Sequence, residues 1–207
     1  MSESPWPVIH AERQALANDL AGLSAAQWQT ASLCAGWTVQ DVVGHMVAAA
    51  RLTPGRFFGR FISSGFNFDK MAAKDVAAET AGGSAGTLAG FNEILSRTTS
   101  PPGPIDAMLG ENLIHPEDIR RPLGIKHEYP TDAVVRTLDF FKKSNLLIGA
   151  KSRVAGLTLK ATDADWSYGS GPEVSGPAHS LLMAMTGRKA VLEDLSGDGL
   201  DTLRSRS

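Results

Sequence analysis

The stretch that decides the fold is Cys34–Leu52, which reads CAGWTVQDVVGHMVAAARL. Thr38 is followed three residues later by Asp41, a variant of the capping box in which two side chains bond the free backbone N–H groups at a helix start. An acidic residue in that first turn also suits the helix dipole. Behind it, apolar residues recur at helical spacing and form one stripe: Val39, Val42, Val43, Met46, Val47 and Ala50. The pattern predicts a helix over 39–52 that Pro54 ends.

Helical patterns of the same kind recur along the first three quarters of the chain. They predict further helices over the ranges 8–23, 87–99, 105–119 and 131–149. Beyond residue 150 the pattern changes: RVAGLTLKATD alternates as a strand does, and the turn-rich GSGPEVSGP precedes a short helix after Pro177. We therefore predict a mainly α protein, with a helical bundle at 1–150 and a short mixed strand and helix segment at 151–207 that packs on the bundle.

Length, charge and cysteine content exclude several classes of protein. The 207 residues are 43% hydrophobic, which suits one globular domain with a small appendage. A net charge of -2, from 20 basic and 22 acidic residues, offers no electrostatic footprint for nucleic acid. No signal peptide or membrane-spanning run is visible, so the sequence predicts a soluble cytoplasmic protein without a membrane partner. The single cysteine, Cys34, excludes an internal disulfide and a cysteine-built zinc site.

A second stretch, Gly110–Asp118 (GENLIHPED), places Glu111 and His115 four residues apart, one above the other on a helix. Two such side chains converge on a metal ion, and His45 from the first stretch would be a third ligand. Three protein ligands leave one position open for water or substrate, which is the arrangement typical of catalytic zinc. The same residues also fit an ordinary helix ion pair beside a packed histidine, and their spacing does not decide between the two.

Motifs in these two stretches resemble those of one known family. CAGWTVQDVVGHM resembles the signature of the DinB-like, mycothiol-dependent maleylpyruvate isomerase N-terminal family, with Ala35 where proline is usual. The residues that match this signature are Cys34, Gly36, Trp37, Thr38, Asp41 and His45. The family's second motif, a glutamate followed by a histidine and then an aspartate, is similar to Glu111, His115 and Asp118. The tail segments TDADWSYGSGPEVSGPAHSLLMAMTGR and LSGDGLDTLRSR also resemble the family.

The resemblance implies a DinB-like four-helix bundle with a small α/β C-terminal segment. It implies a divalent metal, most often zinc, bound by His45, Glu111 and His115, and a low-molecular-weight thiol, mycothiol, as cosubstrate. The function would be that of a thiol-using isomerase or transferase acting on a small electrophilic substrate. In the characterised type, mycothiol adds to an unsaturated dicarboxylate, the carbon–carbon bond rotates and the thiol leaves.

Two features separate this chain from the full isomerase. Its tail after the bundle is expected to be shorter than the C-terminal domain of that enzyme, and no residue pattern selects maleylpyruvate. The alternative function is therefore a bundle that binds a metal or a small ligand without catalysis.

Other residues are candidates for supporting roles. Asp118 is either a hydrogen-bond partner that fixes the tautomer of a ligand histidine or a plain acid near a helix end. Cys34 is interpreted as a partly buried structural cysteine rather than a reactive thiolate near a helix N-terminus. The aromatic segment 57–68 fits either a lid over the site or a homodimer contact. A dicarboxylate substrate would need an arginine clamp, for which the candidates are Arg120, Arg121, Arg136, Arg153 and Arg188.

Overall fold

The computed structural model of the chain describes residues 3–145 and 148–207. Packing divides the chain into two compact units, Met1–His127 and Glu128–Ser207. The first unit consists of α1 (Trp6–Ala21), α2 (Ala25–Trp28), α3 (Val39–Arg51), α4 (Pro54–Ser63), α5 (Phe68–Thr80), α6 (Gly83–Asn92) and α7 (Ile105–Arg120). The second consists of α8 (Thr131–Phe141), α9 (Ala150–Arg153), β1 (Thr158–Ala161), β2 (Ser167–Gly169), β3 (Glu173–Gly176), α10 (Ala178–Met185), a 3-10 helix (Lys189–Asp194) and α11 (Leu200–Ser205). The predicted boundary at residue 150 falls inside the second unit, and as a division into domains it stays a prediction.

The first unit is a helical bundle built around α3. Its long helices are α1, α3, α5 and α7; α3 contacts α5, α6 and α7, and α1 contacts α6 and α7. Burial of apolar surface is the main favourable term in folding, and these helices bury their apolar faces in one core. Its residues include Leu16, Leu20, Val39, Val42, Val43, Val47, Phe91, Ile94 and Ile119. Gly44 allows α5 to approach α3 closely, because a Cβ atom at this position would lie 2.7 Å from Cγ2 of Thr80.

The capping box predicted at the start of α3 is confirmed. The Thr38 hydroxyl accepts a hydrogen bond from the Asp41 backbone N–H at 3.2 Å, and Asp41 Oδ2 accepts one from the Thr38 backbone N–H at 2.9 Å. These reciprocal bonds satisfy N–H groups that have no partner inside a helix. They also fix where α3 begins, and therefore the direction in which His45 points two turns later.

Pro54 begins a helix as well as following one. The Thr53 hydroxyl accepts a hydrogen bond from the Arg56 backbone N–H at 3.4 Å and caps α4, and Pro54 takes the first helical position. Proline is favoured there, because an N–H group at that position would have no partner inside the helix. In the aromatic segment that follows, the rings of Phe61 and Phe68 lie 4.4 Å apart, whereas Phe58 is 57% exposed. Its role as a lid or a dimer contact stays a prediction.

Two helices end earlier than predicted. The helix expected over 87–99 ends at Asn92, and the buried side chain of Arg13 donates hydrogen bonds to the carbonyl oxygens of Ile94 and Arg97, each at 2.9 Å. A side chain from α1 thus takes carbonyl groups that a longer helix would use. The helix expected over 131–149 ends at Phe141, where the polar run KKSN follows.

The second unit contains a small sheet with the strand order β2-β1-β3. Strand β1 pairs with β2 in antiparallel and with β3 in parallel register, and α10 packs against α8 and β1. Asp163 Oδ1 accepts a hydrogen bond from the Ala178 backbone N–H at 2.8 Å at the start of α10. The mainly α fold with a small α/β C-terminal segment is confirmed. Within the described ranges, no helix has both the length and the apolar character to cross a membrane.

Candidate metal centre

Three side chains from two helices of the bundle meet at one point. His45 comes from α3, and Glu111 and His115 come from α7. Glu111 Oε2 lies 3.1 Å from His45 Nε2 and 3.2 Å from His115 Nε2. The two imidazole rings stand edge to face with centroids 5.0 Å apart. The structure therefore brings together all three residues singled out in the sequence, although 66 positions separate His45 from Glu111.

These donor atoms fit a divalent metal ion. Zinc binds imidazole nitrogen and carboxylate oxygen at about 2.0–2.2 Å, so two ligand atoms of a tetrahedral site lie about 3.3 Å apart. The two separations measured here are 3.1 and 3.2 Å, and the three donor atoms all lie within 4.8 Å of one another. Little movement would be needed for them to hold one ion.

Asp118 orients His115 from the side opposite to Glu111. The His115 Nδ1–H group donates a hydrogen bond to Asp118 Oδ2 at 2.9 Å, and Asp118 is fully buried. Of the two roles that the sequence left open for Asp118, the structure shows the hydrogen bond to His115. Such a carboxylate holds the proton on Nδ1 and leaves Nε2 to act as a metal ligand.

A tight turn carries Cys34 towards the same carboxylate. The Trp37 backbone N–H donates to the Cys34 carbonyl oxygen at 3.0 Å, and Gly36 has φ +78°, as the third residue of a type II turn requires. Ala35 occupies the second position, where proline is favoured but not required. Cys34 is partly buried, as predicted. The ring of Trp37 lies 5.2 Å from that of His45 and contributes to the wall of the centre.

The contact between Cys34 and Asp118 is one that sequence reasoning missed. Cys34 Sγ donates a hydrogen bond to Asp118 Oδ2 at 3.1 Å and lies 3.8 Å from His115 Nδ1. Cys34, His115 and Asp118 thus form a second group whose donor atoms lie within 4.8 Å of one another. Both residues stand in recognisable motifs, but 84 positions separate them, and no local signal pairs them.

Hydrogen bonds inside the protein occupy several of the candidate arginines. Arg120 is fully buried, and its Nε donates to Asp19 Oδ2 at 2.7 Å. Arg153 donates to the carbonyl oxygens of Ile148 and Met185, at 3.0 and 2.6 Å. These contacts exclude both side chains from a substrate clamp unless local structure is broken. Arg188 Nη1 also donates to the Thr186 carbonyl oxygen, at 3.1 Å. A clamp role for Arg121, Arg136 or Arg188 stays a prediction.

The centre perturbs the pKa values of two of its residues in opposite directions. Burial alone would raise the pKa of Glu111, but the charge of His115 and hydrogen bonds from His115 and His45 hold it well below its ordinary value of 4.5. Burial alone would lower the pKa of His115, but the charge of Glu111 and hydrogen bonds with Asp118, Cys34 and Glu111 hold it well above 6.5. Without a metal, the two side chains therefore form an ion pair at neutral pH.

This ion pair predicts a pH dependence for the stability of the metal-free protein. The lowered pKa of Glu111 contributes stability that is fully present above pH 4.5 and is lost as the pH falls through the lower pKa of the folded protein. The raised pKa of His115 contributes stability that is fully present below pH 6.5 and is lost as the pH rises through the higher pKa of the folded protein. We expect the difference in unfolding free energy between wild type and Glu111→Gln to be largest between those two values. Urea titrations in the presence of a chelator measure it, and a difference independent of pH would contradict the pairing.

Comparison with known proteins relates part of the chain to one family and most of it to one fold. Residues 9–102 match the family described as mycothiol maleylpyruvate isomerase N-terminal domain. The chain is similar to the crystal structure of the mycothiol-dependent maleylpyruvate isomerase, with a TM-score of 0.59 and 11% identity over 93% of this chain and 91% of that chain. It is also similar to a histidine-to-alanine mutant of a mycothiol-dependent maleylpyruvate isomerase, with a TM-score of 0.57 and 14% identity over the same shares. No curated protein matches the chain.

These comparisons correct the expectation about the tail of the chain. Because the shared fold spans 91% of the isomerase chain, the expected shortening of the tail is wrong. At such low identity the structural likeness shows a common fold and no more. The matched segment, residues 9–102, includes His45 and ends before Glu111. The match over residues 9–102 and the shared fold support the resemblance of the chain to the mycothiol maleylpyruvate isomerase N-terminal domain family.

Proposed function

We propose that the protein is a metal-dependent enzyme that uses a low-molecular-weight thiol, mycothiol, to isomerise or modify a small electrophilic substrate. The observation that carries the proposal is the meeting of His45 Nε2, Glu111 Oε2 and His115 Nε2, all within 4.8 Å. These three residues would hold the ion. We expect zinc, which is commonly bound by imidazole nitrogen and carboxylate oxygen. The family match of residues 9–102 and the mycothiol-dependent isomerase of the same fold support this assignment.

A zinc ion in such a site acts as a Lewis acid and lowers the pKa of a thiol or water bound at its open position. The side chains of the protein prepare for it in two ways. Asp118 holds the proton of His115 on Nδ1, so Nε2, which faces Glu111, would be the atom that binds the ion. Glu111 would be the one negatively charged residue in contact with the ion, beside two neutral imidazoles, so the ion would keep enough positive charge to favour an anionic thiolate.

The chemistry proposed for the thiol needs no other reactant. A thiolate adds to one carbon of a conjugated double bond, and the electron pair of that bond moves towards the neighbouring carbonyl group. The remaining single bond rotates, and return of the electron pair expels the thiolate, so thiol and substrate atoms are conserved. The first substrate to test is maleylpyruvate, because the isomerase of the same fold acts on it.

The test measures metal and turnover in the same preparation. Untagged wild-type protein is analysed for metal by mass spectrometry and assayed for isomerisation of maleylpyruvate with and without mycothiol. We expect about one equivalent of zinc per chain, and turnover that requires mycothiol, stops with a chelator and returns with zinc. Protein without metal, even after zinc is supplied, would overturn the proposal. Zinc without thiol-dependent turnover of maleylpyruvate or of other activated alkenes would favour the non-catalytic binding bundle.

A further inference from the structure

We infer that Cys34 is a positioning residue of the metal centre, whose thiol holds Asp118 in the orientation that fixes His115. The inference rests on the proposed function, because it concerns how the protein prepares its ligands for the ion. It gives a role to a thiol that the proposed chemistry does not use as a nucleophile.

The backbone around Cys34 is tied directly to Asp118. The Leu33 backbone N–H donates a hydrogen bond to the Asp118 carbonyl oxygen at 3.1 Å, next to the bond from the Cys34 thiol to the Asp118 side chain. Within the loop, the Ser32 hydroxyl accepts from the Cys34 backbone N–H at 3.1 Å and donates to the Trp37 carbonyl oxygen at 2.8 Å. The thiol therefore contacts the Asp118 carboxylate from a loop whose backbone is held by hydrogen bonds.

One carboxylate oxygen receives both contacts. Asp118 Oδ2 accepts from the Cys34 thiol at 3.1 Å and from His115 Nδ1–H at 2.9 Å, and Asp118 has no solvent exposure. A buried carboxylate is costly unless donors compensate its charge, and each donor restricts where the oxygen can lie. The thiol thereby acts on His115 through the oxygen that the two residues share.

The sulfur of Cys34 lies on the wrong side of the His115 ring to be a fourth ligand of the proposed ion. His115 turns Nε2 towards Glu111 at 3.2 Å and Nδ1 towards Asp118 at 2.9 Å, and the two nitrogens point away from each other across the ring. Cys34 Sγ lies on the Nδ1 side, 3.8 Å from that nitrogen. An ion held at Nε2 with His45 and Glu111 would have the imidazole ring between itself and the sulfur.

Loss of the thiol should weaken metal binding without removing a ligand. Partners of ligand histidines typically contribute about 10- to 100-fold to metal affinity. Cys34 acts one contact further out, so we expect Cys34→Ala to weaken zinc binding by about 3- to 10-fold, less than Asp118→Asn. Cys34→Ser keeps a hydrogen-bond donor and should recover most of the loss. Ala35→Ser, a change at the exposed neighbour in the same turn, should bind zinc as the wild type does.

The experiment is a chelator-competition zinc titration of wild type and these variants, with NMR of the His115 Nδ1–H group in the zinc-loaded proteins and absorption spectra of the cobalt-substituted ones. We expect the chemical shift and the solvent exchange of this proton, which report its hydrogen bond to Asp118, to be alike in wild type and Cys34→Ser and to change in Cys34→Ala. Circular dichroism verifies that each variant is folded.

The outcomes distinguish failure of the inference from failure of the proposed function. Equal zinc affinity and the same His115 Nδ1–H signal in wild type and Cys34→Ala would overturn the inference alone. A thiolate-to-cobalt charge-transfer band in the wild type, absent from Cys34→Ala, would also overturn it, because Cys34 would then be a ligand. A wild type that takes up no zinc would overturn the proposed function and the inference together.

Discussion

Zinc binding should be lost in His115→Ala, with an affinity at least about 1000-fold below that of the wild type. The substitution removes one of three protein ligands, and it also separates Asp118 from the centre, because His115 bonds Glu111 on one side and Asp118 on the other. Competition titration with a chromogenic chelator gives the affinity, and mass spectrometry gives the metal content of the purified variant.

A matched control is available on α1. His10 lies outside the centre, where its Nε2 contacts the Arg97 carbonyl oxygen at 3.3 Å, so His10→Ala should keep the zinc affinity of the wild type. Because His115→Ala also leaves a buried carboxylate with one donor fewer, His115→Gln, which retains a side-chain N–H, separates loss of metal from loss of folding. Retention of one equivalent of zinc by both His115 variants would mean that His115 and Glu111 are an ordinary helix pair.

The largest loss of stability is expected from Phe91→Ala. Phe91 has no solvent exposure and lies in the core of the bundle with residues of α1, α3 and α7. Replacing a buried phenylalanine by alanine removes its transfer free energy and leaves a cavity, so the free energy of unfolding should fall by about 3–5 kcal/mol. Urea denaturation of wild type and variant, followed by circular dichroism under metal-free conditions, measures the difference.

Phe58→Ala is the control for this prediction. The two substitutions delete the same atoms, but Phe58 is 57% exposed on α4, so we expect its free energy of unfolding to change by less than about 0.5 kcal/mol. A similar loss in both variants would contradict the placement of the core. Metal-free conditions matter, because a bound ion stabilises the folded state by mass action and would mask part of the loss.

The sequence by itself determined those features that depend on residues close together in the chain. The Thr38–Asp41 cap, the buried stripe of α3 and the pairing of Glu111 with His115 are all local, because side chains three or four residues apart meet on any helix. The start of α4 is equally local, since Thr53 caps the helix and Pro54 occupies its first position. The sequence prediction interpreted Pro54 only as the end of α3.

Tertiary structure alone decided the features in which distant segments compete for or share a polar group. Arg13 takes two carbonyl oxygens after α6, 81 and 84 positions away, where the helical pattern continues. Cys34 and His115 share one oxygen of Asp118, although the thiol comes from a loop 84 positions earlier. A sequence pattern shows the periodicity of one segment. A buried polar group needs a hydrogen-bond partner, and that partner can come from any segment that packs beside it. Local patterns therefore indicate the candidate ligands, and only the folded bundle shows which groups orient them.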